Sequence, residues 1–555
     1  MVLVMSNVAR LRAAMAKGNL SARALMDSVL QRIESDEGEG TRAFLSVYRE
    51  EALNHAGRID RARANGDALP PMAGIPVAVK DLFDIKGEAT RAGSKLLSRS
   101  PPARRDALVV ARLKEAGLTI IGRTNMAEFA ASAVGSNPHY GTPRNPWNRA
   151  HTPGGSSSGA AVAVADGMSV LAVGSDTVGS IRVPAALCGV VGFKPTQARV
   201  PLGGAFPYAP TLDSIGPLAR SVSDCAALDA VLSGEDHAEL AGRNLAGLVL
   251  AVPQGFVTQD LDAHVGAAFE RACALLVAAG ARLPSVRISE LDEVRESGIT
   301  ATIQFAEAYA IHERQLFEHG SDYDPHVRGR LLQGKDISAA QYLHALQLRQ
   351  TLIERIDQVT NPFDALLMPT VPIIAPTIAA CEGQDAAIRS TLIRNTAPFN
   401  VVDRCAISLP MYLIFTTGVV FWLAYGLMIT SWPIIIANIV PALPPFSWSV
   451  TETIEDTPAA LNISLGASPT GNAADAGEVD KDGSESLNAT SYVKLTDGAT
   501  LVGSYTIVAA GDADATVAVR QLADGTATPE QVAATVEADL LDTYQARLEA
   551  LLNEV

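Results

Sequence analysis

The sequence is short of cysteine, of aromatic residues and of positive charge, and each shortage removes a class of explanation. Its five cysteines, Cys188, Cys225, Cys273, Cys381 and Cys405, stand far apart with no CxxC pair. A disulfide framework or a cysteine-based zinc site is thereby excluded, and the body reads as intracellular, which makes a cytoplasmic location the expectation. Basic residues number 44 against 60 acidic ones, a formal net charge of -16. A general nucleic-acid coat, which draws on clustered Lys and Arg, is excluded as well. The opening stretch MVLVMSNVARLRAAMAKG meets its first Arg too early for a secretory signal. Only 5% of the residues are aromatic, yet 48% are hydrophobic over 555 positions. Such a chain is too apolar to be mainly disordered and too long for one ordinary domain.

Charge is also missing locally. From Cys405 to Thr451, 47 consecutive residues hold no Asp, Glu, Lys, Arg or His, while three of the four tryptophans, Trp422, Trp432 and Trp448, fall inside that stretch. Beyond it, residues 452–555 carry 18 acidic residues against four basic ones. The first 451 residues are nearly balanced, at 42 acidic and 40 basic. The expected organisation is therefore a body over 1–408, an apolar segment over 409–446 and an acidic tail over 447–555, loosely packed or partly disordered.

Within the body, residues 7–34 show helical spacing with a break at Gly18-Asn19, and Ser21 is placed as an N-cap. Short apolar runs then alternate with amphipathic stretches: GIPVAVKDLF, LTIIGRT, SVLAVGSD, LAGLVLAVPQG and DALLMPTVPI between segments such as ALVVARLKEAG. Strand and helix alternating at this interval predict an α/β fold with a largely parallel or mixed sheet. In the tail, SYVKL and GSYTIVAA read as strands and the chain from Pro529 as a helix.

The densest chemical signal lies between residues 152 and 196. A Gly/Ser loop, Gly154-Gly155-Ser156-Ser157-Ser158-Gly159, leads through an Ala/Val run to a second small-residue loop, Gly174-Ser175-Asp176-Thr177-Val178-Gly179-Ser180. Loops of this kind let backbone N–H groups and hydroxyls approach a reacting atom, as a serine nucleophile with an oxyanion hole requires. The GxSxG match at 155–159 lacks the preceding strand of a nucleophile elbow. No P-loop lysine precedes a Ser or Thr here, and VAVK at 77–80 lacks the other kinase motifs. For a base, His151 is the one histidine near the loop, and Lys80 ends a predicted strand. A lysine acts as base only when neutral, and moving its pKa from about 10.4 to about 7 costs roughly 4–5 kcal/mol of burial or like charge.

These residues carry a resemblance. The body resembles the amidase signature family of Ser-cisSer-Lys amide hydrolases over roughly residues 5–410. The match rests on GIPVAVKD, GRTNMAEFA, NPWN, PGGSSSGAA, GSDTVGSIRVPAALCGVVGFKPT, TLDSIGPLARSVSD and RNTAPFNVV. It implies an α/β amidase-signature fold with a mixed central sheet flanked by helices, working on a small-molecule amide without cofactor or metal. Position by position, it implies Ser180 as nucleophile, Ser156 as the bridging serine after a cis Gly155–Ser156 bond, and Lys80 as terminal base. Backbone N–H groups of Thr177, Val178, Gly179 and Ser180 would form the oxyanion hole. Gly155, Ser157 and an Asp176–Arg182 pair would support the loops. Val178 stands where the family often has Gly, which narrows the pocket.

After CAISLP the chain departs from the family's usual strand. Residues 411–430 supply 20 uncharged residues, enough for a helix to cross a bilayer, and arginines precede them. A short stretch, 409–441, is similar to part of the small PQ-loop sugar transporters of the SemiSWEET type. Membrane association through 411–430 is thus one expectation, a buried strand and helix punctuated by Pro433, Pro441, Pro444 and Pro445 is a second, and a gap in the amidase sheet is a third. Three functional readings follow: an amidase, the glutamine-hydrolysing component (the A chain) of an aminoacyl-tRNA amidotransferase, and a catalytically impaired, membrane-associated amidase-like protein.

Overall fold

Ser21 ends the first loop of the chain by accepting a hydrogen bond from the Ala24 N–H at 3.0 Å, and it starts the helix Ala22–Ile33. The preceding helix, Val8–Ala16, stops at the predicted break. The computed structural model describes residues 7–36, 38–235, 245–410, 434–438, 462–463, 492–497 and 500–506. The chain divides into two compact units, Met1–Pro441 and Ala442–Val555.

Among the described residues, the first unit has eleven strands: β1 (Phe44–Val47), β2 (Pro76–Lys80), β3 (Thr119–Thr124), β4 (Leu171–Asp176), β5 (Val191–Lys194), β6 (Ser214–Ala219), β7 (Leu250–Gln254), β8 (Ser285–Arg287), β9 (Ala365–Pro369), β10 (Ala406–Pro410) and β11 (Ile434–Asn438). They form one mixed sheet in the order β1-β3-β2-β4-β6-β5-β10-β11-β9-β7-β8. Every residue of β2, β4, β6, β9 and β10 is buried. That explains why these segments read as continuous apolar runs: helices cover the sheet, so a central strand has no solvent face to mark with polar residues. The helix Ser158–Ala165 packs on β2 and β4, and the helix Val222–Ser233 on β6. The former is Ala and Val on every face and is buried from Ser158 to Val164, as an interior helix must be.

One expectation about the C-terminal part of the body needs correction. Strand β10 runs to Pro410, and β11 follows at Ile434–Asn438. The sheet is not left with a gap: β11 lies between β10 and β9 and pairs in parallel with both, Ile436 standing opposite Ser408 on one side and Met368 on the other. This strand falls inside the stretch likened to transporter helices. An uncharged isoleucine run cannot be assigned to a membrane helix or a buried parallel strand by periodicity alone. The membrane helix expected at 411–430 lies outside the described residues. Among the described residues, no helix is long and apolar enough to cross a membrane.

In the second unit, β12 (Asn462–Ile463), β13 (Tyr492–Asp497) and β14 (Thr500–Thr506) form an antiparallel three-stranded sheet. The helix expected from Pro529 lies outside the described residues.

Candidate active site

Glycines set the first loop. Gly135 has φ +86°, and a Cβ on it would lie 2.2 Å from the Gly154 carbonyl oxygen. A Cβ on Gly155 would lie 2.6 Å from the Gly135 Cα. Only residues without side chains allow the two backbones to touch in this way. The Gly155 N–H donates to the Ala133 carbonyl at 2.8 Å, and the peptide between Gly155 and Ser156 is cis. Ser157 then donates its N–H to the Ser180 carbonyl at 3.2 Å, which ties the first loop to the second.

The second loop turns on Asp176, the last residue of β4. Its carboxylate accepts from the N–H groups of Gly179 at 2.7 Å and Ile181 at 3.1 Å, and from Arg182 Nε at 3.0 Å and Nη2 at 2.9 Å. Neither Asp176 nor Arg182 is exposed at all. Burial alone would raise the carboxyl pKa; the Arg182 guanidinium overrides it and, with Lys194 and Asn400, holds Asp176 well below the ordinary range. Arg182 is tied further to the Thr396 carbonyl at 3.0 Å and to Asn400 Oδ1 at 2.6 Å. The Thr396 hydroxyl donates to the Val178 carbonyl at 2.7 Å. Gly179 has φ +134°, and a Cβ there would fall 2.2 Å from Thr396 Oγ1, so this position too requires glycine.

Lys80 ends β2 with no exposed surface, and its Nζ donates to Ser156 Oγ at 2.7 Å and to Ser175 Oγ at 2.9 Å. Burial pushes its pKa down to about 7, against the opposing pull of Asp176 and Asp213. The balance is specific to this arrangement. Asp176 is already neutralised by Arg182, and Asp213 is occupied in accepting from the Thr177 hydroxyl at 2.5 Å and from the N–H groups of Tyr208 and Ala209 at 2.9 and 3.1 Å. No carboxylate therefore bonds directly to the amine among the described residues.

Lys80 thus touches Ser156 directly, and the Ser157–Ser180 backbone bond holds the loop of Ser180, which is 2% exposed, against the loop of Ser156. Of the four N–H groups expected to form an oxyanion hole, that of Gly179 is already given to Asp176. The anchor that shapes the loop thus engages one of these donors. Among the described residues, no hydrogen bond takes up the N–H groups of Thr177, Val178 or Ser180. His151 is not part of the cluster; its Nδ1 lies 2.6 Å from the Ala375 carbonyl in a loop bridge. Ser175, Asp213, Thr396 and Asn400 were not singled out as site residues. The RNTAPFN motif contained the last two, but their contacts with the loop span 218 and 224 residues of chain. Among the described residues, no group of His, Cys, Asp or Glu is arranged to hold a metal ion.

Comparison with known proteins bears on the family and the fold. The Amidase family model matches residues 24–422. The chain is 36% identical over 376 residues to AtzE, a component of the 1-carboxybiuret hydrolase of Pseudomonas sp. (strain ADP), covering 65% of this chain and 81% of that protein. It is 34% identical over 435 residues to the A component of the glutamyl-tRNA(Gln) amidotransferase of Synechococcus sp. (strain CC9605), covering 72% and 88%. A solved amidase superposes with TM-score 0.66 at 33% identity, over 73% of this chain and 92% of the other. The native peptide amidase of Stenotrophomonas maltophilia gives 0.62 at 26%, over 77% and 97%. A second model, the iron permease FTR1 N-terminal domain, matches only residues 505–555. The sugar-transporter resemblance at 409–441 receives no support.

Proposed function

This chain belongs to the amidase family and is an amide-hydrolysing enzyme, and we propose that it converts a small carboxylic amide to carboxylate and ammonia or amine through an acyl-enzyme on Ser180. The observation that carries this reading is the fully buried Lys80 amine, 2.7 Å from Ser156 Oγ and with its pKa lowered to about 7. A neutral Lys80 accepts the Ser156 proton while Ser156 accepts that of Ser180, so the attacking hydroxyl loses its proton through a relay. The new C–O bond forms as the carbonyl π electrons move to oxygen. The N–H groups of Thr177, Val178 and Ser180 are the donors that would face that oxyanion. Ser156 returns its proton to the leaving nitrogen as the C–N bond breaks, and water, activated by the same relay, releases the acid.

The test is labelling by a fluorophosphonate probe together with ammonia release from a panel of simple amides. Both are expected in the parent chain and absent in Ser180→Ala. Hydrolysis that survives this substitution sinks the assignment.

A second reading is favoured by the similarity to the A components of amidotransferases, at 34% identity. In it the amide is glutamine and the ammonia passes to a partner. Copurification with further chains, and glutamine hydrolysis that rises in their presence, would select it over the free-standing amidase.

A further inference from the structure

A cavity of about 580 Å³, well within the range of small-ligand sites, is lined by four arginines, Arg295, Arg330, Arg389 and Arg394. Three of them are engaged. Arg330 pairs with Asp385. Arg394 donates to the Gln259 carbonyl at 2.7 Å and to Asn395 Oδ1 at 3.2 Å. Arg295 stacks over the Phe256 ring at 5.1 Å. Arg389 is different: it is 8% exposed, its Nε has no partner, and no hydrogen bond or ion pair reaches it among the described residues. Burial and the neighbouring Arg330 press its pKa down against Tyr208 and Asp385. A guanidinium taken out of water is unfavourable where the carboxylate acting on it, Asp385, is already paired with Arg330, and that second guanidinium adds to the cost. An arriving anion relieves both.

Two links join the cavity to the catalytic loops. Gln304 on its wall donates to the Tyr208 hydroxyl at 3.0 Å. Tyr208 in turn lines a small cavity of about 30 Å³ together with Ser175, Thr177 and Asp213. On another side, Ala397 and Pro398 line the large cavity directly after Thr396, whose hydroxyl holds the nucleophile loop at Val178. A planar guanidinium matches the two oxygens of a carboxylate. We propose that this cavity is the subsite for a carboxylate borne by the substrate, with Arg389 as its anchor, so that the preferred amides are anionic. The proposal rests on the amide-hydrolysing reading of the Ser180 site and adds the class of substrate to it.

The test uses the full chain and matched pairs: the monoamides of succinic, glutaric and adipic acids against neutral butanamide, pentanamide and hexanamide. At least one anionic amide is expected to have the higher kcat/KM of its pair. Arg389→Gln is expected to lower the anionic-to-neutral ratio about 10- to 100-fold, chiefly through KM, and Arg389→Lys to retain part of it. Because the readout is a ratio, it does not depend on the fraction of folded enzyme. Glutarate binding to Ser180→Ala, measured by calorimetry, reports on the subsite without turnover. Its loss on adding Arg389→Gln supports the subsite even where no amide of the panel is hydrolysed, which separates failure of the subsite from failure of the hydrolase reading. A ratio that Arg389→Gln leaves unchanged overturns the proposal, as does glutarate binding that is absent or indifferent to Arg389. Glutarate binding that needs Arg389 while the ratio stays constant assigns the cavity to another anion and overturns it too.

Discussion

Lys80 Nζ lies 2.7 Å from Ser156 Oγ, and neither side chain reaches solvent. The amine is therefore held where its ionisation is expensive and where its neutral form has a proton to collect.

Activity should follow that ionisation. With Lys80 at about 7, kcat/KM is expected to rise with pH through the neutral range and level off above it, since only the neutral amine acts as base. Lys80→Met should abolish the rising limb along with the activity. A flat profile from pH 5.5 to 8.5 would contradict the assigned role.

The same shift has a stability consequence of defined sign. Between pH of about 7 and the unfolded lysine value of about 10.4, the unfolded chain binds a proton that the folded chain lacks, so stability rises with pH over that window. The penalty, about 4–5 kcal/mol, is fully present below the folded value and gone above the unfolded one. Denaturant titrations should therefore show Lys80→Met gaining more, or losing less, relative to the parent at pH 6.5 than at pH 9.5.

Arg182 and Asp176 form an ion pair with no exposed surface. Arg182→Met leaves a buried carboxylate without its counter-charge and is expected to cost about 3–5 kcal/mol in urea unfolding. Adding Asp176→Asn should recover part of that loss without restoring hydrolysis, because the loop would still lack its anchor. Strict additivity of the two changes would argue against the pairing.

Gly179→Ala is expected to destabilise by about 1–3 kcal/mol through its backbone conformation alone. The Cβ would also press on Thr396 Oγ1. Thr396→Ala in the same chain removes that atom but not the φ of +134°, so recovery of both stability and kcat should be partial. Full recovery would show that crowding, not conformation, governs this position.

Ile436→Pro tests whether β11 completes the sheet. The strand is paired on both sides, so losing one N–H leaves a buried carbonyl unsatisfied, at a cost of about 1–3 kcal/mol. A lower unfolding midpoint together with reduced hydrolysis is expected. Unchanged behaviour would place the strand's contribution outside the working fold.

Much of the first unit was legible because its signals are local. Ser21 as a cap, the apolar runs of β2, β3, β4, β7 and β9, and the two glycine-bearing loops all lie within a few residues of the features they create. What escaped was non-local. Nothing in the spacing of Asn400 says that it will bond Asp176, and nothing in Arg389 says that its neighbours will leave it without a partner. The β11 strand stayed undecided between a membrane helix and a buried strand for another reason: IIIAN is as apolar as a bilayer segment. Its identity depends on two neighbouring strands, one of which, β9, is separated from it by 64 residues of chain.

The position of β11 imposes an order of events during synthesis. When residue 410 leaves the ribosome, β9 and β10 have both been made, but the strand that joins them has not. Until residue 438 emerges, each presents a bare ladder of N–H and C=O groups, the kind of edge on which nascent chains pair with one another. In the order of the sheet, this last strand stands between the portion that ends at β5 and β10 and the portion formed by β9, β7 and β8. The enzyme is closed by a short piece of chain that arrives after every residue of its catalytic loops.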